Sequence, residues 1–314
     1  MEEDQAKTAG AVLRPGDRTP DWGDCEAAPA FGDRQVGLDV AGFRVRARGL
    51  SDEQAIWFAR RYGIFAAEGE AGVPDVVVDV RRGPVDGFLQ VDTSGGPELY
   101  RLATEYEGKR LRCWSYRFAG WFGREEGAGG LALCDVEGRG FESSLENFLR
   151  VLYATLALHR GAFLLHSAGI VREGAAYLFF GPSGSGKTTT CRLSAGHRVI
   201  SDDLILVLDD DGPRAASIPF RGHLAELPRR QERFPIAGFY RLIQDRTVRL
   251  ERLETARAVS ELMGSLPFVT ERPQNGPVVL EALGRAIDAV PAYRLHFRKD
   301  ASFWDAVLAA TGSA

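Results

Sequence analysis

The pattern of hydrophobic and polar positions divides the chain into three stretches. Residues 1 to about 34 carry Gly, Pro, Asp and Ala with little periodicity, which predicts a disordered arm. From 35 to 140 the two-residue period of strands dominates. Phe43-Arg44-Val45-Arg46-Ala47 alternates, Val76-Val77-Val78-Asp79-Val80 is β-branched, and Leu131 to Val136 is an apolar run ending in a glycine-rich turn. Ser51 to Phe58 predicts one short helix in this β-rich N-terminal region. Its aromatic group Trp114, Tyr116, Phe118, Trp121 and Phe122 reads as sheet packing.

From 141 to 314 strands and helices mix. Ser143 with Glu146 three residues on forms a capping box, and Leu145, Phe148, Leu149, Leu152 and Leu156 recur at helical spacing until Gly161. Ala162 to Leu165 predicts a strand, followed by His166-Ser167-Ala168-Gly169 and Ile170-Val171. Arg172-Glu173-Gly174 is a charged turn, and Ala175 to Phe180 reads as a buried strand. Thr188 to Ala195 predicts a short helix stopped by Gly196. Val199 to Asp203 enters a strand over Leu204 to Leu208, ended by Asp209-Asp210-Asp211-Gly212. Later come an amphipathic Thr255 to Met263 and a closing Phe303 to Ala310. The pattern predicts an α/β protein with its β-rich part first.

Composition narrows the class. A length of 314 residues suits one large domain or two smaller ones, and 45% hydrophobic with 26% charged residues describes an ordinary globular protein. A net charge of −4 gives no electrostatic footprint for nucleic acid or an anionic membrane. Met1-Glu2-Glu3-Asp4 predicts no secretory leader, and no run approaches the ~18 apolar residues of a membrane span. Cys25, Cys113, Cys134 and Cys191 form no CxxC pair, which argues against zinc or a redox motif and for free thiols in a reducing cytoplasm.

The chemistry concentrates in one segment. Gly181-Pro182-Ser183-Gly184-Ser185-Gly186-Lys187-Thr188 fits GxxxxGK[ST], the loop that wraps nucleotide phosphates, between a predicted strand and a predicted helix. Of 39 basic residues only four are lysines, and one of them, Lys187, stands at the motif position. A compact ammonium there reaches between β- and γ-phosphates. This predicts a nucleoside triphosphate with a divalent cation, for which Thr188 is one ligand. Asp202 and Asp203 follow Lys187 closely at the junction of an apolar strand. In extended chain adjacent carboxylates point to opposite faces, so one would hold magnesium and the other would face an acceptor hydroxyl.

Three elements in order, His166-Ser167-Ala168-Gly169-Ile170-Val171, then Gly181 to Thr188, then Ala195-Gly196-His197-Arg198-Val199-Ile200-Ser201-Asp202-Asp203, resemble the core of the HPr kinase/phosphorylase family. The resemblance covers about 145 to 225. It implies a C-terminal P-loop kinase domain over 141–314, of a fold related to phosphoenolpyruvate carboxykinase, with ATP and magnesium as cofactors and phosphoryl transfer to serine. Carried over by position, Gly181, Ser183, Gly184, Ser185, Gly186, Lys187, Thr188 and Thr189 bind phosphates and Thr188 and Asp202 hold the metal. Asp203 is then the base, His166 lies near the γ-phosphate, and Arg221 contacts the transferring phosphoryl group, at a spacing that differs from the family's.

The departures shape the acceptor. Thr189 stands where the family has Glu after its loop, and no counterpart of the family's Arg- and Pro-rich C-terminal loop is recognisable. The chain is closer to the stand-alone HPr-kinase-like proteins of peptide-biosynthesis clusters, including kinases of lasso-peptide precursors. The resemblance therefore implies a peptide or small-protein acceptor other than HPr. A small-molecule kinase or carboxykinase-like enzyme, and a nucleotide-binding regulatory protein, remain the alternatives, and the oligomeric state is open. The intact Lys187, Thr188, Asp202 and Asp203 argue against a pure binder. Residues 35–140 could hold a leader peptide on a sheet edge or serve as a supporting layer. Arg229-Arg230-Gln231-Glu232-Arg233 reads as a solvated loop.

Overall fold

The computed structural model describes residues 20–67, 72–83, 88, 102–134, 141–220, 222–224, 227, 230–270 and 272–311. The chain forms two compact units, Met1–Leu156 and Ala157–Ala314. The division falls inside a helix rather than near residue 140, because the helix predicted to open the second part lies mostly in the first.

The first unit is built on one mixed sheet. Its elements are α1 (Trp22–Ala27), β1 (Arg34–Val40), β2 (Phe43–Leu50), α2 (Asp52–Tyr62), β3 (Ala66–Ala67), β4 (Val76–Gly83), β5 (Ala103–Glu107), β6 (Arg110–Trp114), β7 (Phe118–Gly123), β8 (Ala128–Cys134) and α3 (Phe141–His159). The eight strands run in the order β3-β1-β2-β4-β8-β7-β6-β5, with β2–β4 and β4–β8 parallel. β-branched β4 sits in the middle because all of Val76, Val78 and Val80 can be buried there. Ser51 caps α2 with a full capping box to Gln54. Of the aromatic group, Trp114, Phe118 and Phe122 are buried and Trp121 carries the Arg110 guanidinium 4.1 Å from its ring centroid, in keeping with sheet packing.

Two expectations change here. Helix α3 begins at Phe141, not at Ser143. The Glu146 carboxylate is drawn off by Arg61 and Arg150 instead of turning back to cap the helix. The arm expected over 1–34 is ordered where it is described. Asp21 accepts a hydrogen bond from the Asp24 amide to start α1, and Cys25 is buried against Trp114 and Ala132. Trp22 stacks edge-on with Trp114 at 5.8 Å, under the Arg112 guanidinium. Six residues are too few to show helical periodicity in the sequence, so the segment reads as structureless until its partner is known.

The second unit contains β9 (Phe163–Arg172), β10 (Ala175–Phe180), α4 (Lys187–Leu193), β11 (Arg198–Ser201), β12 (Leu204–Asp209), β13 (Pro213–Ala216), β14 (Arg233–Gln244), β15 (Arg249–Arg252), α5 (Thr255–Met263), α6 (Gly276–Ala289), β16 (Ala292–Phe297) and α7 (Phe303–Thr311). Strands β9 and β14 are long enough to serve two ladders each. β9 pairs with β12 through its first half and with β10 and β11 through its second. β14 pairs with β13 at its start, then with β10 on one edge and β16 on the other. The ladders β10-β9-β12-β13-β14 therefore return to β10 and close a five-strand ring, from which β16 and β15 extend. Strands β10, β14 and β16 are parallel, which puts their carboxyl ends on one edge. Their shared face holds Tyr177, Phe179, Tyr240, Leu295 and Phe297 against Phe303, Trp304 and Val307 of α7.

We expect Trp22→Ala to lower the stability of the first unit by about 2 kcal/mol, below the fully buried Trp range because this residue is only partly buried. Urea unfolding followed by circular dichroism measures it. An unchanged midpoint would show that α1 adds nothing to the fold.

Candidate functional site

The loop after β10 takes its shape for local reasons. Gly181, Gly184 and Gly186 take φ of 153°, 76° and 115°, a region that side chains disfavour. Gly186 is also pressed by β16, since a Cβ there would lie 2.6 Å from Phe297 Cζ. Two further contacts, both absent from the sequence reading, brace the loop. Gln244 at the end of β14 donates to the Gly184 carbonyl at 2.6 Å, and an Arg241 Nη1 atom stands where a Cβ on Gly181 would be. Gln244 and Arg241 could have been found only by knowing that β14 runs parallel beside β10.

Lys187 is buried and begins α4. Its Nζ donates to the carbonyls of Gly181 at 2.8 Å and Pro182 at 3.2 Å, which holds the ammonium inside the loop. The Ser185 hydroxyl is buried with no hydrogen-bond partner among the described residues. Ser183 and Gly184 are exposed at the rim, and Thr188 and Thr189 are partly buried on the first turn of α4.

The paired aspartates sit in a turn between β11 and β12, not in extended chain. The Ser201 hydroxyl accepts from the amides of Asp203 and Leu204 at 3.2 and 3.3 Å and so shapes that turn. The carboxylates still diverge. Asp202 Oδ2 accepts from the Thr188 hydroxyl at 3.3 Å and from the amides of His223 and Leu224 at 3.1 and 3.2 Å. Asp203 Oδ1 lies 3.2 Å from His166 Nε2. The second contact follows from register, because His166 pairs with Leu204 across β9 and β12. Gly222 leaves room for both carboxylates; a Cβ there would stand 2.2 Å from Asp202 Oδ1. Arg221 lies outside the described residues.

Burial, and then the neighbouring charge of Asp203, push the Asp202 carboxyl above its ordinary value, against the pull of the Leu224 and His223 amides. Two successive aspartates, one of them 2% exposed, are a costly arrangement without a cation. Among the described residues no group of three or more His, Cys, Asp or Glu is placed to hold a metal by itself. A magnesium ion carried by phosphates needs fewer protein ligands, and Thr188 with Asp202 supplies a hydroxyl and a carboxylate at one spot. The residues present thus fit a nucleotide-borne cation.

The chain matches no protein-family model and no curated protein. No helix among the described residues is long and apolar enough to cross a membrane. All four cysteines are free thiols.

The raised Asp202 value fixes a sign. A carboxyl that binds its proton more tightly in the folded state adds stability below its unfolded value and loses it as pH rises through the folded one. At pH 8 the ionised Asp202 therefore weighs against folding. We expect Asp202→Asn to raise Tm there by about 2 °C, with the gain shrinking as the pH falls toward the carboxylate range. Scanning fluorimetry across pH checks this. A lowered Tm at pH 8 would mean that the Asp202 hydrogen bonds outweigh its charge.

Proposed function

We propose that the protein is an ATP-dependent phosphotransferase of the HPr-kinase-like type that phosphorylates a hydroxyl, a serine of a peptide or small protein being the acceptor. The observation that carries the reading is the pair of contacts Thr188–Asp202 and His166–Asp203 beside a glycine-rich loop with a buried lysine. A pure nucleotide binder has use for the first contact. The second places another carboxylate beside a histidine that can orient it, apart from the Thr188–Asp202 contact. Free thiols and an acceptor made inside the cell fit a cytoplasmic location.

Magnesium-ATP, when bound, supplies the γ-phosphoryl group and much of the charge screening that its transfer needs. Lys187 leaves the loop carbonyls to neutralise β- and γ-oxygens, while the loop amides fix the phosphates. Thr188 and Asp202 would hold the cation through a hydroxyl and a carboxylate. Asp203, steadied by His166, accepts the acceptor's proton as its oxygen bonds to phosphorus and the bond to the β-phosphate oxygen breaks. The proton then rests on the Asp203–His166 pair, and ADP leaves.

Lys187→Ala should weaken ATP binding at least tenfold, read by calorimetry, because one ammonium facing two phosphates is lost. Unchanged affinity would end the nucleotide-site reading. Asp203→Asn should keep ATP binding and lower transfer by roughly 10²–10⁴-fold. Mass spectrometry of candidate peptides after incubation with magnesium-ATP should show one added phosphate per ADP released. Phosphorylation of HPr, or of a free metabolite with peptides untouched, would redirect the assignment.

A further inference from the structure

The edge of the second unit opposite the phosphate loop holds a cavity of about 400 Å³. It gathers the starts of the three parallel strands. The β9–β10 turn contributes Arg172 and Glu173, β10 Tyr177, the end of β15 Arg252, and β16 Tyr293. The register explains the gathering. Tyr177 pairs with Gly238, Tyr240 with Tyr293, and Arg252 with Tyr293. The three tyrosines stack across neighbouring strands, Tyr177 on Tyr240 at 6.0 Å and Tyr240 on Tyr293 at 5.5 Å.

The chemistry of the walls is that of an anion receptor. Arg172 is held in place with its guanidinium 5.7 Å from the Trp304 ring centroid. Its neighbour Glu173 is a distant partner, 3.7 Å away and mostly in solvent. Arg252 has no acidic partner among the described residues. Two guanidiniums thus outnumber one exposed carboxylate, and guanidiniums favour planar oxyanions. Behind them Tyr240 is fully buried, and its hydroxyl has no hydrogen-bond partner among the described residues. That hydroxyl lies against Gly238, whose neighbour Ala237 lines the cavity. The volume falls within the range of small-molecule sites.

We infer that this cavity is a second ligand site, distinct from the phosphate loop, which binds a small organic oxyanion through Arg172 and Arg252 over the tyrosine stack. Arg172 and Arg252 line the cavity from strands on opposite sides of the tyrosines, so the ligand presents an oxyanion, carboxylate or phosphate, to a guanidinium while the edges of Tyr177 and Tyr293 form part of the wall. This assignment does not rest on the kinase reading.

Thermal unfolding with citrate and with inorganic phosphate as probes, against sodium chloride at equal ionic strength, tests it and separates the two anion types. A probe present at a hundredfold excess over its Kd should raise Tm by about 5 °C. The rise should persist in Lys187→Ala, which disables the phosphate loop, and vanish in Arg252→Ala. Tyr293→Phe, which keeps the ring stack, should reduce it. Loss in Lys187→Ala with retention in Arg252→Ala would assign the effect to the phosphate loop and overturn the proposal. So would the absence of a rise with both probes.

Discussion

The site depends on how β10 is held. It pairs antiparallel with β9 on one edge and parallel with β14 on the other, and both ladders run to its last residue, Phe180 against Ser167 and against Arg241. The chain is gripped until Phe180 and then released at Gly181. That register sets His166, the residue before Ser167, level with Gly181, where the glycine-rich loop begins. The next ladder, His166 against Leu204, brings Asp203 alongside. Two adjoining registers on a single strand, β9, thus bring together residues far apart in sequence. A slip of one residue would turn His166 to the other face.

Around that frame Lys187 and Asp202 both form hydrogen bonds to backbone groups of the described residues. Lys187 bonds to loop carbonyls, and Asp202 bonds to two amides and a hydroxyl. Backbone groups can be given up to an incoming phosphate or cation without leaving a counter-charge stranded in the interior. A direct lysine–aspartate ion pair would have to be broken first. The raised Asp202 carboxyl is the trace of this arrangement: stability is forgone at a point where a cation would restore it.

Much of this was legible in the sequence. The apolar run Ala175–Phe180 is the strand, and the glycines take the φ values their motif requires. The motif also drew attention to Thr188, Asp202 and Asp203; Thr188 bonds to Asp202 and Asp203 lies beside His166, in a turn shaped by Ser201 and not in extended chain. Non-local pairing was not legible. Gln244 and Arg241 carry no motif, and they reach the loop only because β14 enters the sheet parallel to β10. Ser143 and Glu146 had the spacing of a cap, but Arg61, distant in sequence, took the carboxylate. Trp22 and Cys25 looked idle because the surface they cover, around Trp114, is assembled from another part of the chain.

The arginine-rich composition explains why a lysine stands in the loop. Arg241 lies against Gly181, yet its guanidinium is committed to Glu261, which also receives Arg294 and Arg257. Burial opposes ionisation of Glu261, but the Arg294 and Arg241 hydrogen bonds prevail and hold its carboxyl below the ordinary value. Planar forks suit such fixed networks, where geometry is set once and kept. Lys187 has a different task. On the proposed function it would turn from the carbonyl oxygens of Gly181 and Pro182 to phosphate oxygens, a move that a compact ammonium on a flexible stem makes more readily than a wide guanidinium. The scaffold thus fixes Arg241 in an ion-pair network beside the loop and, on the proposed function, leaves to Lys187 the charge that would move.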